Sequence, residues 1–209
     1  MRRCSAPQAN SASPSILVNN AGGVFKSPLL DTSENGWDAL LQVQPASRAA
    51  VHAAGGARCS WTRSNRAASI NVTSIEGVRA APGYAAYAAA KAGVINYTKT
   101  AALELATHKI RVNALAPDLT LTEGIMRGVT GRSAVRCRPH DSDVAGLGHV
   151  DEMAGAAVFL ASDMSSYITG QTIHVDGGTQ APRAAGTTTR RPATTSWGPG
   201  SQCVQPSAA

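Results

Sequence analysis

Cysteine is scarce: Cys4, Cys59, Cys137 and Cys203 are the only four in 209 residues, and no two stand at a paired spacing. That excludes a disulfide framework and a zinc site built from paired cysteines. Long apolar runs are missing as well. No stretch reaches the roughly 20 residues of a membrane-spanning helix, and Arg2 and Arg3 have no apolar segment behind them to make a secretory signal. No membrane partner is therefore expected, and the chain reads as cytoplasmic. The histidines (His52, His108, His140, His149 and His174) lack metal-ligand spacing, so no metal is expected.

Acidic residues are absent from four stretches. Residues 1–14, 55–69, 127–140 and 179–209 hold twelve arginines and none of the thirteen Asp and Glu. The formal charge of +6 and the pI near 9.5 thus belong to these islands, and the rest of the chain is acidic on balance. A basic surface for nucleic acid would be spread along the folded elements, so no nucleic-acid partner is expected. Each island also carries one of the cysteines, and Trp61 and Trp197 lie in two of them. Arginine, cysteine, tryptophan and proline without lysine or acid are what a GC-rich gene yields out of register. The islands read as shifted-frame or deleted coding sequence, with a variable basic surface as the alternative.

What is present centres on Tyr84 to Ala106, where nearly every residue is a good or neutral helix former and Pro82-Gly83 gives a start. Tyr87 and Lys91 are four apart and share a face of that helix. A cation at ~4 Å, at an effective dielectric of ~20, is worth about 4 kcal/mol, or roughly 3 pKa units on the phenol. That would make Tyr87 a working acid or base. A Tyr-x-x-x-Lys pair alone is more often a surface feature. Here Ser74 lies thirteen residues earlier, at the end of Ser69-Ile70-Asn71-Val72-Thr73, which reads as a buried parallel strand. Active groups in open α/β sheets collect at such strand ends.

Ser74, Tyr87 and Lys91 at these spacings follow Asn19-Asn20-Ala21-Gly22 and precede Ile110-Arg111-Val112-Asn113-Ala114-Leu115-Ala116-Pro117. With the closing Thr169-Gly170-Gln171-Thr172-Ile173-His174-Val175-Asp176-Gly177-Gly178-Thr179, the set resembles the classical short-chain dehydrogenase/reductase family. The resemblance implies a Rossmann-like α/β fold, a doubly wound parallel sheet in three layers. It implies hydride transfer between NAD or NADP and a small alcohol or carbonyl substrate. Tyr87 would be the acid/base, with Lys91 lowering its pKa and holding the nicotinamide ribose. Ser74 would hold the substrate oxygen, and Gln44, in place of a family asparagine, would steady Lys91 through a water. Asn20, Ala21 and Gly22 would pass under the adenine ribose, and Pro117 and its neighbours would flank the nicotinamide, with Thr122 near the carboxamide or the phosphates. Asp118 stands where the family usually has glycine, with the expectation that it crowds the ring or repels phosphate. The helix bearing Tyr87 would pair with its copy in a homo-oligomer.

The family's Thr-Gly-x-x-x-Gly-x-Gly turn, which grips pyrophosphate at a helix N-terminus, does not occur in this sequence. Only 18 residues precede Asn19, whereas a βαβ unit takes roughly 30 or more. The expected organisation is a disordered leader over 1–14, a partial domain over 15–179 lacking the first βαβ portion, and a disordered tail over 180–209. A non-catalytic relic or interaction module that cannot hold cofactor is the alternative to an oxidoreductase. Within the domain, Ser15–Asn19 reads as a strand followed by a tight turn. Ser33 caps a helix through Trp37 and Leu40, and a helix led by Asp151 or Glu152 runs through Leu160.

Overall fold

The computed structural model describes residues 15–43, 67–123 and 148–181. Gln44, the leader, most of the tail and all four cysteines lie outside them. Four strands form one parallel sheet: β1 (Ile16–Asn19), β2 (Ala68–Val72), β3 (Arg111–Pro117) and β6 (Thr172–Val175), side by side in that order. A separate two-stranded ladder pairs β4 (Thr120–Leu121) with β5 (Gly148–His149). These two-residue strands carry no periodicity and were not expected from the sequence.

Helices cover both faces. On one, α1 (Glu34–Val43) packs on α2 (Ala85–Leu105), and α2 packs on β3. On the other lies α3 (Val150–Ala161). Strand alternation sorts the core accordingly: Val112 of β3 joins Ala101, Ala102 and Ile110 under α2, while Ile70 and Leu115 meet Leu160 under α3. The three-layer, doubly wound arrangement matches the expectation.

The helix boundaries follow from local chemistry. The Ser33 hydroxyl accepts from the Gly36 N–H at 3.2 Å and caps α1. Gly83 takes φ +84°, a left-handed conformation that turns the chain into α2. The Glu152 carboxylate accepts from the His149 N–H at 2.6 Å, so α3 begins at Val150, one residue before the acids that were expected to lead it. One expectation fails: Asn20 to Gly23 form no tight turn. Neither Gly22 nor Gly23 adopts a positive φ, and the segment runs on to Ser27, whose N–H donates to the Gly83 carbonyl at 2.9 Å. That bond draws the chain across the carboxyl edge of the sheet instead of back on itself.

β1 forms one edge of the sheet among the described residues, and Ile16 and Val18 are 44% and 49% exposed. Its inner end is tied by a buried polar ladder. Asn19 Nδ2 donates to Asn71 Oδ1 at 2.7 Å, Asn71 Nδ2 to Thr98 Oγ1 at 2.9 Å, and Thr98 Oγ1 to the Val94 carbonyl at 2.8 Å. The ladder joins β1, β2 and α2 through groups that are costly to leave unpaired. Thr98→Val removes the acceptor for Asn71 and is expected to cost about 1–3 kcal/mol in urea unfolding, with Thr98→Ser losing much less. Equal stability of the valine variant and the parent would show that the ladder does not hold these elements.

Candidate active site at the carboxyl edge of the sheet

Ser74 leaves the end of β2 and caps a 3-10 turn, Ile75–Gly77, accepting from the Glu76 N–H at 3.3 Å. Gly77 lets this turn lie directly on α2. A Cβ built there would stand 2.9 Å from the Lys91 carbonyl carbon, 3.0 Å from the Ala92 nitrogen and 3.0 Å from Ile95 Cδ1. The contact sets Ser74 against the first turns of α2, near enough to Tyr87 for its hydroxyl to lower the pKa of the phenol. Thr73 closes the joint, its hydroxyl donating to the Lys91 carbonyl at 2.8 Å.

Lys91 is buried to 6% exposure, lies one turn beyond Tyr87, and donates from Nζ to the Val72 carbonyl at 3.1 Å. The ammonium sits 5.5 Å from the centroid of the Tyr87 ring. Burial lowers Lys91 to about 8. Tyr87 moves the opposite way from the sequence expectation. Burial raises it above its ordinary value, the Ser74 hydrogen bond pulls it down, and the Glu76 charge pushes it up again. The physical reason is desolvation. It disfavours the phenolate and the ammonium alike, so the amine cannot deliver the full stabilisation that a bare Coulomb term suggests. Tyr87 is therefore a protonated phenol, and Lys91 loses its charge as pH rises through about 8.

The other expected residues also lie at this edge. Asn20, Ala21 and Gly22 follow β1 and are exposed; Pro117 ends β3 and is half-buried; Thr122 follows β4 and is exposed. Gln44 falls outside the described residues. Asp118 does not stand open as a bare charge. Its carboxylate accepts from the Leu119 N–H at 2.7 Å and the Arg79 guanidinium at 3.4 Å, with the Thr179 hydroxyl 3.0 Å away. The sequence reading missed Glu76, Arg79 and Gly77. For Gly77 the signal was available, since it stands three residues beyond Ser74 and closes the serine's turn.

Among the described residues no three His, Cys, Asp or Glu gather as a metal set, and no helix is long and apolar enough to cross a membrane. A family model described as Enoyl-(Acyl carrier protein) reductase matches residues 7–180. The chain belongs to the short-chain dehydrogenase/reductase family. It is 37% identical over 166 residues to the 3-oxoacyl-(acyl-carrier-protein) reductase FabG of Chlamydia muridarum, covering 78% of this chain and 64% of the relative. The corresponding Staphylococcus epidermidis protein is 37% identical over 163 residues, covering 78% and 65%. The chain thus spans just under two thirds of the length of these curated relatives.

Among family members of known structure, an NADPH-bound short-chain oxidoreductase from Pseudomonas aeruginosa, described as having an atypical catalytic centre, superposes with a TM-score of 0.74 at 31% identity. That match covers 83% of this chain and 67% of the other. A 4-hydroxyisoleucine dehydrogenase complexed with NADH gives a TM-score of 0.68 at 28% identity, covering 82% and 71%.

Proposed function

We propose that the chain is an NAD(P)-dependent oxidoreductase that interconverts a small carbonyl and its alcohol, with Tyr87 as the acid/base. The observation that carries this reading is the seating of the Ser74 turn on the helix of Tyr87, closed by the Thr73 hydroxyl on the Lys91 carbonyl, with the buried Lys91 amine 5.5 Å from the Tyr87 ring centroid, at the carboxyl edge of a parallel sheet. The residues fit the nicotinamide-ribose half of a dinucleotide. Lys91 carries three N–H donors, of which Val72 takes one, and an ammonium so placed suits ribose hydroxyls. Asn20, Ala21, Gly22, Pro117 and Thr122 complete the cofactor side. The bound coenzyme, NAD or NADP, supplies or accepts the hydride.

The chain's own residues handle the proton. In reduction, Ser74 Oγ donates to the substrate carbonyl oxygen and Tyr87 Oη gives that oxygen its proton, so the C=O becomes an alcohol as the carbon receives hydride. The phenol is then restored by a proton from water. A phenol held protonated by burial favours this direction, because alcohol oxidation requires the phenolate first. In this reading the working form is a cytoplasmic homo-oligomer, a proposal supported by the small exposed residues Ala89, Ala92 and Gly93 of α2, which leave room for close approach of a second copy.

A second reading is a non-catalytic family member that serves as an interaction module, for which the small exposed residues Ala89, Ala92 and Gly93 of α2 would form the contact. One experiment separates them. The chain is titrated with NADH and NADPH by fluorescence, and reduction of a short 3-oxoacyl thioester is followed from pH 6 to 10. Turnover is expected to be level below about 8, where Lys91 is charged, and to fall above it as the amine deprotonates. A chain that responds to neither nucleotide refutes the oxidoreductase reading.

A further inference from the structure

Arg79 lies five residues beyond Ser74 and plays no part in the chemistry above. Its Nη2 donates to Glu76 Oε1 at 2.9 Å and to Asp118 Oδ1 at 3.4 Å. The three side chains are 21–25% exposed, so the pairs are partly sheltered from solvent. The contacts are continuous in both directions. Toward the site, the Glu76 N–H donates to Ser74 Oγ at 3.3 Å. Away from it, Asp118 accepts from Leu119 and approaches Thr179 in the turn after β6. A chain of polar contacts therefore runs along the carboxyl edge, from the end of β2 past β3 to β6. Its central link, Arg79 to Asp118, joins residues 39 positions apart in sequence. An acid at 118, where the family resemblance places glycine, has a physical reason in this arrangement, because it is the second partner of the guanidinium.

We propose that Arg79 is a positioning residue: held between Glu76 and Asp118, it fixes the turn carrying Ser74 to the end of β3 and keeps the Glu76 charge matched beside Tyr87. The inference takes its meaning from the oxidoreductase reading. Among the described residues, Ser74 from the same turn and Lys91 from its own helix also act on Tyr87 or its ring. None of these is altered by changing Arg79 or Asp118.

The test uses the 209-residue chain with Asp118→Asn, Asp118→Gly, Arg79→Gln, Glu76→Gln and the Glu76→Gln/Arg79→Gln pair. Amide hydrogen exchange reads the coupling. Both Asp118 variants are expected to speed exchange about tenfold at Gly77, Val78 and Arg79, whose N–H groups close the Ser74 turn. A purely local role for Asp118 would change Leu119 alone. Ultraviolet titration of the Tyr87 phenol, taken as the difference between each variant and its Tyr87→Phe counterpart, reads the charge. Arg79→Gln is expected to raise the midpoint by about one unit, Glu76→Gln to lower it, and the pair to coincide with Glu76→Gln. Unchanged exchange in the turn, or an Arg79→Gln midpoint equal to that of the parent, overturns the proposal. Neither measurement needs a nucleotide, so a chain that binds no NAD(P) counts against the functional reading and leaves this result intact.

Discussion

Tyr87→Phe is expected to reduce carbonyl turnover by about 10²–10⁴-fold while leaving nucleotide affinity within a few-fold and the fold intact. The substitution keeps the ring, and with it the surface over which the Lys91 ammonium sits. It removes only Oη, the proton donor of the proposed mechanism. Lys91 keeps its bond to the Val72 carbonyl, so its own position does not depend on the phenol. The loss should appear in kcat, because a proton given in the transition state is not part of ground-state binding. Ser74→Ala is the useful comparison. It takes away a hydrogen bond but leaves the proton donor, and so costs less. Tyr87→Phe turning over at the parental rate would remove the acid/base assignment, whatever the identity to the relatives.

How much of this could be read in the residues depended on whether the information was local. The helix of Tyr87 was legible because Pro82-Gly83 and a run of helix formers say the same thing, and Gly83 does adopt the positive φ that such a start uses. Ser74 was legible because a β-rich run ends there. The direction of the Tyr87 shift was not. Spacing gives the distance between phenol and amine, but burial decides which way the proton affinity moves, and burial is set by β2, the Ser74 turn and α2 together. Asp118 illustrates the same limit. Read alone it is a misplaced charge; its partner Arg79 is far off in sequence, and only the parallel alignment of β2 and β3 brings them together. Asn71 is a polar residue in the middle of a buried strand, and its partners Asn19 and Thr98 belong to two other elements.

The largest expected effect away from the reacting groups is at Gly77. Replacing it with alanine puts a methyl 2.9–3.0 Å from the Lys91 carbonyl carbon and the Ala92 nitrogen, atoms of a helix backbone that cannot step aside as a flexible side chain would. The Ile75–Gly77 turn must move instead. Overpacking of this kind costs about 1–3 kcal/mol, a fall in Tm of roughly 2–12 °C for a chain of this size. The functional cost should exceed the stability cost. Ser74 caps the same turn, and a displacement of about 1 Å between reacting groups can remove 10²-fold in rate. A second reading requires no turnover: as Ser74 draws away, Tyr87 loses the hydrogen bond that lowers its pKa, and its titration midpoint should rise. Gly155→Ala, within α3, is the control. Nothing lies within 4 Å of a Cβ there, and alanine is the better helix former by about 1 kcal/mol, so that variant should be as stable as the parent or more so. If both glycine variants behave alike, with rate, Tm and the Tyr87 midpoint all unmoved, then the close seat of the turn on α2 is not what holds Ser74 in place.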